Sequence, residues 1–233
     1  MNKILLIEDD DKIARIILFY LGKNPDYDVQ WVQTAADALN SIDSRTDIIL
    51  LDICLPDCNG VDLCARIRES VYCPIIFISC LDDEETMVKA LEVGGDDYLT
   101  KPFSGKLLET HIQANLRRVR IDRNRLNSCS DKKAIVFEDF TVDCEKRIII
   151  RDNEINHPAP IEYEILMYFI DNPNRIISID ELYEKVWGIP CYGDVRTVVT
   201  HVYNLRKIIE PHYTKSKYIC NVRGSGYYFQ PFT

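Results

Sequence analysis

Short apolar runs alternate with helix-like segments over the first half of the chain. The runs predict β-strands at 3–7, 29–32, 48–52, 74–79 and 97–100. Apolar residues at helical spacing predict helices at 11–21, 35–44, 61–70, 83–93 and from 104 to about 123. On the first helix, one side is predicted to carry the apolar residues Ile13, Ile16, Ile17 and Leu21. Strands that alternate with helices favour a parallel sheet with right-handed crossovers. We therefore predict a doubly wound, five-stranded α/β domain.

The pattern changes after residue 133. Short strands divided by turn residues predict an antiparallel meander at 134–137, 140–143, 147–150 and 154–156. Helices are predicted at 161–171, 179–187 and 195–210, and a hairpin at 218–230. Two short helices before a longer one are typical of helix-turn-helix organisation. A polar stretch at 124–133 separates the two predicted domains, 1–123 and 134–233.

The helix predicted at 195–210 has an apolar stripe and a polar, cationic remainder. The stripe is Val198, Val202, Leu205 and Ile209. The other side is predicted to be exposed and to reach bases and phosphates in a DNA major groove, through Arg196, Thr197, Thr200, His201, Tyr203, Asn204, Arg206 and Lys207. Arg223, in the turn of the hairpin, suits a narrow minor groove. A solvated helix face followed by an ordinary hairpin is the alternative.

Charge and hydropathy narrow the class of protein. The net charge is −9, of which residues 1–126 carry 15 basic and 22 acidic side chains. Because nucleic-acid-binding proteins are usually net positive, DNA binding here requires positive charge concentrated on one face of the second half. No apolar stretch reaches the length of a membrane span or a signal-peptide core, so we expect the chain to stay in the cytoplasm.

The nine cysteines are odd in number and scattered, and no two stand at Cys-x-x-Cys spacing. This pattern favours reduced thiols without a shared role, with a redox or zinc function as the alternative.

Polar residues follow several predicted strands of the first half, at the points where those strands end. They are Glu8 and Asp9, Asp52, Ser79 and Lys101. Because the carboxyl ends of parallel strands share one edge of the sheet, these side chains are expected to converge there. Three carboxylates in an oxygen-rich pocket suit Mg²⁺, and a carboxylate beside Mg²⁺ and an ammonium can attack a phosphoryl group. Taken one at a time, they could equally be loop acids, a helix cap and a surface amine.

The motifs in this half resemble the receiver domain of two-component response regulators. They are Ile7-Glu8-Asp9-Asp10, Leu51-Asp52-x-x-Leu55-Pro56-x-x-x-Gly60, Ile78-Ser79 and Asp96-Asp97-Tyr98-Leu99-Thr100-Lys101-Pro102-Phe103. The resemblance implies that Asp52 is the phospho-acceptor and that Lys101 contacts the phosphoryl group. It implies that Ser79 and Tyr98 form a switch, and that Mg²⁺ is held by Glu8, Asp9, Asp52 and the backbone carbonyl of Cys54. Lys101-Pro102 is a candidate cis peptide. Cys80 and Gly95 depart from the alanines usual in the family.

The resemblance also implies a dimer face formed by helix 83–93, strand 97–100 and the last receiver helix. Its candidate residues are Lys89, Glu92, Asp96, Asp97, Leu107 and His111. Leu107 and His111 stand where charged partners are expected, so we predict weak dimerisation that phosphorylation enhances. An equally tight dimer of Asp52→Ala by sedimentation would refute this.

The second half resembles the winged-helix effector domain of the OmpR/PhoB family. The matching motifs include Asp180-Glu181-Leu182-x-x-x-Val186-Trp187-Gly188, His201-x-x-x-Leu205-Arg206-Lys207 and Val222-Arg223-Gly224-x-Gly226-Tyr227. Together the two resemblances imply a transcription factor that a sensor histidine kinase controls and that binds direct-repeat DNA as a homodimer. By the same analogy, the loop at 188–194 contacts RNA polymerase.

Two other functions stay open from the sequence alone. A Mg²⁺-dependent phosphatase with Asp52 as nucleophile is disfavoured, because Cys54 breaks the Asp-x-Asp pattern that would begin at Asp52. A regulator that acts largely without phosphorylation, with its receiver as a dimerisation scaffold, is the other alternative.

Overall fold

The computed structural model describes residues 1–128, 133–190, 195–212 and 215–232, and for residues 118–128 it describes the backbone alone. It divides into two compact units, Met1–Arg117 and Arg118–Thr233. The domain boundaries predicted at 123 and 134 stay a prediction, and residues 129–132 lie outside the described part.

The first unit contains a five-stranded parallel sheet in the order β2-β1-β3-β4-β5. Its strands are β1 (Asn2–Ile7), β2 (Tyr27–Val32), β3 (Thr46–Leu51), β4 (Ile75–Ser79) and β5 (Asp97–Thr100). Its helices are α1 (Asp11–Leu21), α2 (Ala35–Ser41), α3 (Gly60–Arg68), α4 (Glu84–Glu92) and the first part of α5 (Gly105–Ser128), which continues past Arg117. Two apolar clusters cover the two faces of the sheet, which explains why β3 and β4 are apolar without alternation. The predicted doubly wound α/β fold is confirmed.

Local signals for helix ends operate as predicted. The Thr34 hydroxyl caps α2 by accepting from the backbone N–H of Asp37, and α4 ends just before Gly94, whose φ is +112°. Packing favours glycine at position 95 as well, since a Cβ there would lie 2.6 Å from the Phe77 ring. The Lys101-Pro102 peptide is cis, as predicted. Of the apolar residues grouped on one side of α1, Ile17 and Leu21 are buried, whereas Ile16 is 54% exposed.

The second unit begins with a four-stranded antiparallel sheet in the order β6-β7-β8-β9. These strands are β6 (Ala134–Val136), β7 (Phe140–Asp143), β8 (Ile148–Arg151) and β9 (Glu154–Asn156). Three helices follow, α6 (Pro160–Asp171), α7 (Ile179–Val186) and α8 (Arg196–Ile209), and then a hairpin of β10 (Ile219–Val222) and β11 (Gly226–Phe229). The meander, the helix-turn-helix and the wing-like hairpin are all confirmed.

Candidate functional site

The parallel sheet brings the predicted polar residues to one edge. Glu8 follows β1, Asp52 follows β3, Ser79 ends β4 and Lys101 follows β5. Glu8, Asp52 and Ser79 are buried, while Asp9 is exposed. The convergence expected from the strand order is therefore present, with three buried polar groups and one carboxylate open to solvent.

Asp52 is held by a cation and by the backbone of its own loop. Lys101 Nζ donates to Asp52 Oδ2 at 2.6 Å, and the backbone N–H of Cys54 donates to Asp52 Oδ1 at 3.1 Å. The side chain of Lys101 is only 8% exposed, so it is not a surface amine. Burial disfavours its charge, but hydrogen bonds to Asp52 and Glu8 outweigh burial and raise the pKa of Lys101. The pair is thus a carboxylate with a fixed counter-charge.

Glu8 shares the same ammonium and keeps one oxygen unused. Lys101 Nζ donates to Glu8 Oε2 at 2.8 Å, whereas the buried Glu8 Oε1 has no hydrogen-bond partner. Burial is the main reason that the pKa of Glu8 rises to about 7, and Lys101 works in the opposite direction. A buried, unpartnered carboxylate oxygen is costly unless a cation or a donor meets it.

The carboxylates of Glu8, Asp9 and Asp52 offer ligand atoms within 4.8 Å of one another. In the described part of the chain no other group of three or more acidic, His or Cys side chains comes this close. The donors are all oxygen, as hard divalent cations prefer. A bound cation would satisfy the unpartnered Glu8 Oε1, so the residues fit a cation of the Mg²⁺ type. None of the cysteine Sγ atoms in the described part of the chain belongs to this group of ligand atoms.

Ser79 and Tyr98 both contact the segment that connects β4 to α4. The Leu81 backbone N–H donates to Ser79 Oγ at 3.2 Å, and Tyr98 Oη donates to the Leu81 carbonyl at 2.6 Å. Tyr98 is buried and stacks on Phe77, and burial raises the pKa of its phenol. Because both hydroxyls contact Leu81, displacement of one from Leu81 would alter the contacts of the other.

Helix α8 carries the predicted DNA-contacting residues, but it is more enclosed than its pattern indicated. The prediction of an exposed polar side was wrong for four residues, which the structure buries: Thr197, Thr200, His201 and Asn204. Asn204 Nδ2 donates to Glu162 Oε1 at 2.9 Å, and the His201 ring lies 5.8 Å from the Trp187 ring. Neighbouring helices therefore cover residues that flank the apolar stripe.

The other predicted DNA contacts lie nearer to the surface. Tyr203 and Lys207 are exposed on α8, and Arg196 is half-buried. Arg206 is half-buried too, and its Nε and Nη2 donate to the Ile219 carbonyl of the hairpin at 3.1 and 2.7 Å. Arg223 is exposed in the hairpin turn. Arg206 thus helps to hold the hairpin against α8.

Comparison with known proteins accounts for both units. Residues 4–113 match the family model "Response regulator receiver domain", and residues 153–229 match "Transcriptional regulatory protein, C terminal". Transcriptional regulatory protein SrrA of Staphylococcus aureus is 30% identical over 231 residues, covering 98% of this chain and 95% of the relative. The chain belongs to the OmpR/PhoB family of response regulators.

Solved structures agree with this fold. A RitR mutant, C128S, superposes with a TM-score of 0.80 at 21% identity, covering 99% of this chain and all of that one. A CheY-like receiver domain protein from Methanospirillum hungatei JF-1 gives a TM-score of 0.50 at 26% identity, covering 52% of this chain and 98% of that one. The OmpR/PhoB-family protein is thus a two-component response regulator with a receiver and a DNA-binding domain, and this pair implies a sensor kinase and DNA as partners.

The dimer face predicted for this OmpR/PhoB-family member includes buried side chains. Three of its polar residues, Asp96, Asp97 and His111, are buried within the receiver rather than presented at its surface. Asp96 is paired with Arg68, and His111 Nδ1 lies 2.6 Å from Asp97 Oδ2. Each of the three therefore has a partner within the receiver, and the dimer face to which they were assigned stays a prediction.

The remaining dimer-face residues lie nearer to the surface. Lys89 and Glu92 are exposed and Leu107 is half-buried, and Lys89 pairs with Glu85 of the same helix at 2.7 Å.

Sequence reasoning missed two carboxylates that organise the DNA-binding unit of this OmpR/PhoB-family protein. Glu162 joins α6 to Asn204 of α8, and its Oε2 accepts the Ala159 N–H at 2.9 Å. Glu210, just past α8, accepts the backbone N–H groups of three consecutive residues, Lys217 to Ile219. A Glu at the N3 position of α6 was the available signal for the first. In the parts that the structure describes, no helix is long and apolar enough to cross a bilayer.

Proposed function

We propose that Asp52 accepts a phosphoryl group from a partner sensor histidine kinase and that this modification controls DNA binding by the second unit. The observation that carries the proposal is the buried Asp52 carboxylate, 2.6 Å from the Lys101 ammonium and beside the unpartnered Glu8 Oε1. This arrangement supports a nucleophile whose product charge is already compensated.

In the transfer, an Asp52 oxygen attacks the phosphorus of a phosphohistidine. The P–N bond breaks, the imidazole leaves, and an acyl phosphate forms on Asp52. Lys101 contacts the transferred oxygens, and its pKa, raised by Asp52 and Glu8, keeps it charged. Glu8, Asp9, Asp52 and the carbonyl of Cys54 would hold Mg²⁺, which supplies further charge compensation when bound.

The response begins at the segment after β4. A phosphoryl oxygen on Asp52 that accepts the Ser79 O–H turns this side chain toward the pocket, away from the Leu81 N–H that donates to it. The segment that contains Leu81 is then released, which frees Tyr98 Oη from the Leu81 carbonyl. Phosphorylation then favours one of two arrangements of α4, β5 and α5. We propose that this arrangement strengthens a weak homodimer, which binds direct-repeat DNA in the cytoplasm.

In the DNA complex, α8 lies in the major groove and Arg223 contacts the minor groove. Contact of residues 188–194 with RNA polymerase remains part of the proposal, although residues 191–194 lie outside the described part. A buried Lys101 between two carboxylates serves phosphoryl transfer and has no role in a receiver that is only a dimerisation scaffold. Phosphorylation-independent action is therefore the second candidate function.

The test is phosphoryl transfer in the full-length protein. Wild type incubated with acetyl phosphate and Mg²⁺ should gain one phosphoryl group by intact mass, and chelation of Mg²⁺ should abolish the gain. Asp52→Asn should remain unmodified. Asp57→Asn is the matched control, because the Asp57 carboxylate accepts from the N–H groups of Ala35 and Ala36 and is not one of the three clustered carboxylates. Absence of transfer to wild type from acetyl phosphate and from any kinase tested would favour the scaffold.

A further inference from the structure

Helix α8 presents an apolar and aromatic stripe to solvent at a spacing of four residues. Val199 is 44% exposed, Tyr203 is 40% exposed, and Lys207 follows at the next position of the stripe. The Lys207 ammonium lies 4.3 Å from the centre of the Tyr203 ring. Because residues four apart lie on the same side of a helix, Val199 and Tyr203 form one exposed surface that DNA in the major groove could meet.

Asn204, the side chain best suited to hydrogen-bond an adenine, is turned away from this surface. Its Nδ2 donates to Glu162 Oε1, and Glu162 Oε2 is already used by the Ala159 N–H. Rotating Asn204 outward would remove the 2.9 Å donor from a buried Glu162 oxygen, whose other nearby nitrogen, His201 Nδ1, lies 3.5 Å away. The loss of that hydrogen bond is unfavourable. Base recognition through the amide of Asn204 therefore conflicts with the packing of α6 against α8.

The chemistry that remains on the exposed stripe is apolar contact flanked by cations. No acidic residue occurs between Arg196 and Ile209, so the helix does not repel a phosphate backbone. In the major groove, the apolar group that distinguishes one base from the others is the 5-methyl of thymine. The two methyl groups of Val199 match that partner in size and polarity.

We propose that Val199, flanked by the Tyr203 ring, determines sequence specificity by contacting a thymine 5-methyl group in the major groove. The inference rests on the proposed DNA-binding function and adds the chemical class of base that is read. Lys207 contributes phosphate attraction beside this contact, and Asn204 serves to position α8 through Glu162.

The probe is a duplex selected by the full-length, acetyl phosphate-treated protein from a randomised library. Each thymine of that duplex is replaced in turn by deoxyuridine, which removes only the 5-methyl group. We expect wild type to lose about three- to ten-fold in affinity at one position in each half-site. Val199→Ala should bind the parent duplex correspondingly more weakly, and its affinity should be the same for thymine and uracil at that position.

Val136→Ala is the matched control, because Val136 is 65% exposed on β6 and the substitution is the same. It should retain the wild-type preference for thymine over uracil. The inference is overturned if wild type shows no methyl dependence, or if Val199→Ala keeps the full preference. It is overturned too if Val199→Ala changes only self-association, which would identify the stripe as a protein contact. If selection enriches no sequence, the DNA-binding proposal itself fails, and this inference fails with it.

Discussion

We predict that the buried pair of Asp97 and His111 stabilises the receiver in a pH-dependent way. His111 Nδ1 lies 2.6 Å from Asp97 Oδ2, and the Tyr98 N–H donates to Asp97 Oδ1 at 3.0 Å. Both side chains are less than a tenth exposed. Burial alone would lower the pKa of His111, but the charge and hydrogen bond of Asp97 outweigh burial and raise it.

Replacing His111 by Ala leaves the Asp97 carboxylate buried without the imidazole that pairs with it. The Tyr98 N–H donor, and a longer contact of 3.4 Å from Asn115 Nδ2, would remain. Removing one member of a buried ion pair typically costs about 3–5 kcal/mol. Near pH 6 we expect a loss of about 3–4 kcal/mol, which lowers the urea midpoint by about 1.5–2 M for a slope of about 2 kcal/mol/M.

The sign of the pH dependence follows from the raised pKa. The stabilisation by protonated His111 is complete below the pKa of the unfolded chain, about 6.5, and is lost as pH rises through the higher pKa of the folded protein. The difference between wild type and His111→Ala should therefore shrink from pH 6 to pH 9. Any cost from the cavity left by the ring does not depend on pH and would remain.

The two tryptophans allow the receiver to be followed separately. Trp31 lies on β2 and Trp187 lies in the second unit, so a Trp187→Phe background leaves Trp31 as the only tryptophan reporter. Urea unfolding by Trp31 fluorescence gives the free energy of the receiver at each pH. An equal difference at pH 6 and pH 9 would refute an ionised pair. Lys89→Ala, which breaks the exposed pair with Glu85, is the control and should show no such trend.

Three other substitutions have clear expected outcomes. Gly60→Ala would place a Cβ 2.1 Å from the Asp52 carbonyl oxygen, so it should lower the free energy of unfolding by about 1–3 kcal/mol and reduce phosphorylation by acetyl phosphate. If both quantities stay at their wild-type values, the close contact does not constrain the backbone at Asp52. Glu210→Ala should destabilise the second unit by about 2–4 kcal/mol, because three backbone N–H groups, two of them buried, lose a charged acceptor. Trp187 fluorescence in a Trp31→Phe background measures this loss. Arg223→Ala should weaken binding to all duplexes alike and reduce the salt slope by about one, whereas loss on one sequence alone would indicate base recognition.

Much of the receiver followed from local pattern. Apolar runs specify strands buried on both faces, and their alternation with helices specifies a parallel sheet. Because parallel strands share a carboxyl edge, the convergence of Glu8, Asp52, Ser79 and Lys101 was predictable without any coordinates. The capping residues Thr34 and Ser178 were predictable for the same reason, since a cap bonds to backbone within three residues.

The sequence by itself thus determined the two folds, the acidic edge around Asp52 and the family. Tertiary structure decided which polar groups are buried, since that depends on partners distant in the chain. Asn204 is withdrawn from the surface by Glu162, 42 residues earlier, and Asp97 by His111 of another element. Helical periodicity locates the centre of the apolar stripe on a helix. It does not show how many residues on either side of that stripe are covered by neighbouring helices and strands. Asp52 lies where its strand places it, at the carboxyl edge of the sheet, whereas packing buries four of the residues that were predicted to face DNA.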